Sequence, residues 1–271
     1  MQCAMPDSLA KLPAVVVAET LTLRPGRVDL WCFSYQEVTD PGLLASYRAL
    51  MTPQECARHD RFHFERDRLL FLATRALVRT VLSQYVAVAP ADFRFVDGPH
   101  GKPAVQLPGP LPPLHFNLSN TLGLVVCAVS TVHPLLGVDA ESLDRASATS
   151  DIAAHYFSPL ELRALRALPL AQQRERFFAY WTLKESYIKA RGLGLALPLE
   201  QFSFLLDDPP QIRIAFDSRL SDEPSRWRFA LLSGSEQHLV AVGVDTGGVP
   251  LDLRAVRYVP LVGCLSSAHT G

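Results

Sequence analysis

Apolar and polar positions alternate in two different rhythms along this chain, and the rhythm changes at recognisable boundaries. Val28–Phe33 reads as a β-rich run, and residues 54–85 carry helical spacing, interrupted by a cationic stretch from Arg58 to Arg68. His115–Leu118 and Leu124–Val129 read as strands around a turn at Ser119-Asn120-Thr121. The prolines and glycines of residues 99–113 mark a loop that is neither helix nor central strand. Gly137-Val138-Asp139-Ala140-Glu141 follows an apolar run and reads as a strand end. Phe177–Lys189 reads as a helix with an apolar stripe at Phe178, Trp181, Tyr187 and Ile188, its polar side carrying Lys184, Glu185 and Lys189. Residues 1–27 read as a leader, and residues 247–271, which lack periodicity, as a tail.

The order of signals repeats. Thr52-Pro53-Gln54-Glu55 is answered by Ser158-Pro159-Leu160-Glu161, each a helix start with a hydroxyl cap, proline next and glutamate third. The helix over Phe71–Leu82, then Pro90 and Phe93-Arg94-Phe95, is answered by Phe178–Lys189, then Pro198 and Phe202-Ser203-Phe204. His115-Phe116 and Leu124-Val125 find partners in Arg228-Phe229 and Leu239-Val240. A repeat of about 110 residues is too long for a solenoid. The expected fold is therefore α+β: two similar halves, 28–136 and 137–246, related by pseudo-twofold symmetry, with a site in the groove between them.

Composition narrows the class. The 271 residues are 48% hydrophobic and 20% charged, enough for a proper core and without a disorder signature. A formal charge of -1 argues against general nucleic-acid affinity. The five cysteines form no C-x-x-C pair, which fits reduced thiols in a cytoplasmic protein. No stretch is long and apolar enough to read as a membrane span.

Two acidic elements carry the candidate chemistry. On a strand, Asp139 and Glu141 point to the same face, and like charges side by side repel unless a cation compensates. On the helix, Glu185 lies beside Lys184 and one turn before Lys189. Spacing alone allows Glu185 and Lys189 to be a surface ion pair. Together, three hard oxygen ligands among cations suggest a place where Mg²⁺ and a phosphate chain are held. Arg58, Arg61, Arg66 and Arg68 are either a solvated turn or an anion site. Gly101-Lys102-Pro103 offers a cation on a turn, but neither it nor Gly192-Leu193-Gly194 matches a phosphate-loop or dinucleotide fingerprint. No zinc-ligand spacing, nucleophile elbow or catalytic-cysteine context is present.

In this order, the segments resemble the Sfp-type 4′-phosphopantetheinyl transferases over about residues 28–245. The most specific resemblance lies in Gly137-Val138-Asp139-Ala140-Glu141 and Trp181-Thr182-Leu183-Lys184-Glu185-Ser186-Tyr187-Ile188-Lys189, preceded by the Gly-Lys-Pro turn and Phe116-Asn117-Leu118-Ser119. The resemblance implies transfer of the phosphopantetheine arm of coenzyme A to a serine of an acyl or peptidyl carrier protein by a monomeric enzyme, often for polyketide or nonribosomal peptide assembly. It implies that Asp139, Glu141 and Glu185 hold Mg²⁺, and that Glu185 also serves as base. Lys184 and Lys189 would then contact the phosphates. Arg58, Arg61, Arg66 and Lys102 would take the 3′-phosphate and adenosine end, and Ser119 would help bind the nucleotide. One departure is Asn120, where the family commonly has a histidine; asparagine donates a hydrogen bond but carries no charge. The competing readings are a Mg²⁺-dependent hydrolase of a nucleotide pyrophosphate and a non-catalytic module that docks carriers.

Overall fold

A computed structural model describes residues 26–98, 103–106, 113–144, 149–206 and 212–264. The first half runs β1 (Arg27–Phe33), α1 (Pro41–Ala49), α2 (Pro53–Asp60), α3 (Glu65–Leu82), a ribbon of β2 (Arg94–Asp97) and β3 (Pro103–Gln106), then a hairpin of β4 (His115–Thr121) and β5 (Leu124–Ser130). The second repeats it: β6 (Leu136–Ser142), α4 (Thr149–Tyr156), α5 (Pro159–Ala167), α6 (Leu170–Arg191), ribbon β7 (Phe202–Leu205) and β8 (Arg213–Phe216), hairpin β9 (Trp227–Ser235) and β10 (His238–Asp245). In each half the first strand pairs antiparallel with the last, giving the orders β1-β5-β4 and β6-β10-β9. The architecture is α+β with two similar halves.

Alternation along the strands explains how the halves meet. Val28 and Leu30 of β1, Val126 and Ala128 of β5, Val138 and Ala140 of β6, and Val240 and Val242 of β10 form one buried aliphatic cluster between the sheets. The opposite face of the first sheet, with Trp31, Phe33, Val125 and Cys127, packs on Leu77 and Val81 of α3. The opposite face of the second packs on α6 through Leu183, Tyr187 and Ile188, which join Phe202, Trp227 and Ala241. Both predicted capping boxes form: Thr52 with Glu55, and Ser158 with Glu161.

Facing sets a finer register than composition does. Val125 and Leu239 both face helices, whereas Val240 faces the other sheet, so Val125 corresponds to Leu239 and the expected pairing of these dipeptides slips by one residue. A one-residue slip exchanges the faces of a strand, which similarity between aliphatic residues does not reveal.

Three other expectations change. The strand expected to end at Leu118 continues through Thr121, because the turn is taken at Leu122-Gly123, where Gly123 has φ 91°. Part of the proline-rich loop is β3, with Pro103 as the first residue of a two-stranded ribbon, a position that tolerates its missing N–H. The expected tail is structured over much of its length. Strand β11 (Asp252–Val259) lies parallel to β1 from Arg27↔Asp252 to Cys32↔Arg257, and β12 (Gly263–Cys264) pairs with β11. Arg254 Nε and Nη2 donate to the buried Asp29 at 2.8 and 2.7 Å, fixing that strand. Charged positions on this partly exposed edge dilute its alternation. Of the expected leader, residues 1–25 lie outside the described residues. No helix among the described residues is long and apolar enough to cross a membrane.

Candidate active site

The site is assembled where β4 of the first half, β6 of the second and helix α6 come together. Strands β4 and β6 belong to different sheets, and side chains bridge them in place of a backbone ladder. Asn117 Oδ1 accepts from the backbone N–H of Val138 at 2.8 Å, and Ser119 Oγ accepts from that of Ala140 at 3.2 Å. The i,i+2 spacing of Asn117 and Ser119 puts both on the face toward β6. Asn120 therefore points away and is exposed.

Helix α6 is 22 residues long and ends at Gly192, whose left-handed φ of 66° closes the last turn. It lies unusually near β6. A Cβ added at Gly137 would stand 2.0 Å from the Ser186 carbonyl oxygen and 2.4 Å from the Ala190 nitrogen. The glycine of the Gly-Val-Asp-Ala-Glu segment is thus what lets the helix backbone rest on the strand. That close approach sets Glu185 and Lys189 beside Asp139 and Glu141.

The contacts follow from this placement. Lys189 Nζ donates to Asp139 Oδ1 at 2.7 Å and to Ser119 Oγ at 2.9 Å. Ser119 Oγ also lies 2.9 Å from the same Asp139 oxygen, to which it donates. The other carboxylate oxygen, Asp139 Oδ2, is buried and has no hydrogen-bond partner. Trp181 Nε1 donates to Glu141 Oε1 at 2.9 Å, so this residue of the apolar stripe orients a carboxylate. Burial first, then the charges of Asp139 and Glu141, push the Glu185 carboxyl from the usual 4.5 up to about 7, with Lys189 opposing.

Among the described residues, no group of three or more His, Cys, Asp or Glu side chains stands in an arrangement that would hold a metal ion. As the side chains stand, the Lys189 ammonium supplies the counter-charge to Asp139. The donor set nevertheless fits a hard divalent cation. Lys189 is the cation at Asp139, burial and then the charges of Asp139 and Glu141 raise Glu185 to about 7, and Asp139 Oδ2 is a buried acceptor left unpaired.

The raised value for Glu185 makes a stability prediction for the metal-free protein. A carboxyl whose folded pKa exceeds its unfolded value stabilises the fold at low pH, and that contribution is lost as pH rises from about 4.5 to about 7. The scale is about 3 kcal/mol. In EDTA, Glu185→Gln is expected to be more stable than the parent at pH 8 and to lack this part of the slope between pH 5 and 8. Urea titrations of both proteins check it; equal slopes would remove Glu185 from the cluster.

One residue expected at the site is elsewhere. Lys184 has a fully buried side chain on another face of α6, and its ammonium is saturated by Glu161 Oε2 at 2.9 Å and the carbonyls of Leu199 and Phe202, both at 2.7 Å. It has no proton left for a phosphate, which corrects its expected role. The helical wheel misleads here because α6 is buried on several sides. Arg58, Arg61 and Arg66 are exposed on α2 and at the junction of α2 with α3. Arg58 lies over Phe71 at 5.4 Å, Arg61 donates to Ala57 O at 3.3 Å, and Arg66 sits 5.1 Å from the Phe64 ring and 3.6 Å from Asp67. Lys102 lies outside the described residues. Sequence reasoning missed Gly137, Ser186 and Asn117 as builders of the site. A glycine inside a strand, which marks close backbone approach, was the available signal for the first.

Comparison with known proteins places the chain in a family. Residues 135–243 match the 4′-phosphopantetheinyl transferase superfamily, and residues 41–132 match the N-terminal family of 4′-phosphopantetheinyl transferases. The chain is 34% identical over 197 residues to the 4′-phosphopantetheinyl transferase HetI of a Nostoc species, covering 72% of this chain and 81% of that one. It is 31% identical to the 4′-phosphopantetheinyl transferase Sfp of Bacillus subtilis, covering 80% of this chain and 92% of that one. This chain belongs to the 4′-phosphopantetheinyl transferases, of the Sfp type.

Proposed function

We propose that this enzyme moves the 4′-phosphopantetheine arm of coenzyme A onto a serine hydroxyl of an acyl or peptidyl carrier protein, releasing 3′,5′-ADP, with Mg²⁺ held by Asp139, Glu141 and Glu185. The observation that carries the reading is the buried, unpartnered Asp139 Oδ2 beside Glu141 and a Glu185 carboxyl that burial and its neighbours raise to about 7. Such a cluster favours a cation, and a cation there favours a pyrophosphate. When bound, Mg²⁺ neutralises charge on the pyrophosphate and on the departing ADP.

The chain's own residues supply the rest. The serine oxygen forms a bond to the phosphorus that bears the pantetheine arm, and the bond from that phosphorus to the ADP oxygen breaks. Glu185, directly or through water, takes the serine proton. Lys189, already among the carboxylates, turns its ammonium to the phosphates. Ser119 keeps Asp139 and Lys189 in register through its hydroxyl and flanks the nucleotide. Arg58, Arg61, Arg66 and Lys102 take the 3′-phosphate and adenosine end, and exposed Asn120 adds an uncharged donor there. The carriers are those of polyketide, nonribosomal peptide or fatty acid synthesis.

The test is the intact mass of an apo carrier incubated with this protein, coenzyme A and Mg²⁺. A gain of one phosphopantetheine arm on the serine, abolished by EDTA, is expected. No gain on either an acyl or a peptidyl carrier overturns the proposal. Release of 3′,5′-ADP from coenzyme A without a carrier would identify a hydrolase instead.

A further inference from the structure

The two halves share a buried device that the carboxylate site does not need for its chemistry. In the second half it is Lys184. Its three protons go to Glu161 Oε2, Leu199 O and Phe202 O, and its ammonium lies 4.1 Å from the centre of the Phe202 ring. Glu161 is equally saturated: Oε2 also accepts from Ser158 N, and Oε1 accepts from Phe204 N, both at 2.9 Å. In the first half the same place is taken by Arg79. Its side chain is 0% exposed and donates to Glu55 Oε2 at 2.6 Å and to the carbonyls of Pro90 and Phe93, both at 3.0 Å. Glu55 and Glu161 are the third residues of matching capping boxes. Each cation therefore ties the long helix of its half to the helix before it and to the turn leading into the ribbon.

What surrounds the device differs between the halves. With Val125 matched to Leu239, the ladders match Phe33 to Glu141 and Trp31 to Asp139. Counting from Arg79 and Lys184, Thr80 stands for Glu185 and Gln84 for Lys189. The first half thus fills with core aromatics the face on which the second presents carboxylates, and it has no acid on its helix at that point. The buried cation persists where the carboxylates are absent. Its role is common to both halves and hence architectural.

We infer that Lys184 is a positioning residue, which fixes the rotation and depth of α6 through Glu161 and the 199–202 turn and so holds Glu185 and Lys189 against Asp139. For its catalytic consequence this rests on the transfer reaction proposed above. Lys184→Met strands the Glu161 charge and lowers the melting temperature, whereas the pair Lys184→Met with Glu161→Gln removes both charges, keeps an acceptor for the Ser158 or Phe204 N–H, and recovers part of it. In the folded pair, α6 is no longer indexed, and kcat is expected to fall about tenfold or more while KM for coenzyme A stays within about threefold. Lys184→Arg, the first half's own solution, is expected to recover most of that kcat. Calorimetric binding of coenzyme A to the pair and to Lys184→Arg reads the ligand side without turnover. A loss of coenzyme A affinity of about tenfold or more in Lys184→Arg, with kcat retained, would make Lys184 a phosphate ligand and overturn the inference. A Lys184→Met protein that melts at the parental temperature would overturn the shared device. A wild-type protein that transfers nothing sinks the proposed reaction alone, since the melting temperatures still decide the device.

Discussion

Asp139→Asn is expected to lose about a thousandfold or more of transfer activity while the protein remains folded. The side chain does two things at once. Oδ1 gathers Lys189 and Ser119, and Oδ2 is the buried acceptor with no partner. Asparagine keeps the shape and one acceptor, but it removes a full negative charge and puts an amide at one of the two oxygens. Stability should not follow activity downward. Asp139 and Glu141 raise the Glu185 pKa, so neutralising Asp139 relieves repulsion and lets that value drop below about 7. Without metal at pH 8, the variant should therefore melt no lower than the parent. Three measurements check this: single-turnover transfer to a carrier, Mg²⁺ titration by calorimetry, and melting in EDTA. Turnover near the parental rate would take Asp139 out of the metal site, whereas loss of folding would mean that its Lys189 contact is structural.

How far the sequence alone reaches is clear from the residues involved. The duplicated capping boxes announced the two halves because each cap is local chemistry, readable in four consecutive residues. Asp139, Glu141 and Glu185 were grouped by the chemistry of hard oxygen ligands among cations and by the resemblance of their two segments to a family, whereas spacing alone left Glu185 free to pair with Lys189 at the surface. Lys184 was misplaced for the opposite reason. On a helix covered by a sheet on one side and a ribbon on another, a lysine lies on the polar side by spacing alone, and only the distant Glu161 reveals its burial. Strand β11 was missed because its partner, β1, lies at the other end of the described chain, and pairing across that separation leaves no local trace. Ser119 was read as a ligand of the nucleotide, yet its hydroxyl is first a bridge between the halves, a role set by the alternation of β4 against β6.

The largest effect on the fold is expected from Gly137→Ala. A methyl group there would stand 2.0 Å from a backbone carbonyl and 2.4 Å from a backbone nitrogen of α6, so no rotamer change relieves the clash. Either the helix retreats from β6 or the strand distorts. Overpacking of this kind costs about 3 kcal/mol or more, since main-chain atoms on both sides resist. Gly234→Ala is the matched control. Its added methyl meets only side chains, Leu124 Cδ2 at 2.9 Å, Val240 Cγ2 at 3.0 Å and His238 Cβ at 3.3 Å. The leucine and valine ends can shift and no backbone atom is among these nearest contacts, so a smaller loss of about 1–2 kcal/mol is expected. Trimming Ser186 to glycine should not rescue Gly137→Ala, because the obstructing atoms belong to the main chain rather than to the serine hydroxymethyl group. If Gly137→Ala folds at all, α6 must have moved, carrying Glu185 and Lys189 away from Asp139. A displacement near 1 Å already costs on the order of a hundredfold in rate. Urea unfolding of the single and double variants, with transfer assayed on whatever remains folded, reads both consequences. A Gly137→Ala protein with parental stability and rate would show that the helix is not seated on this glycine, and the account of how the site is held together would fail at its first contact.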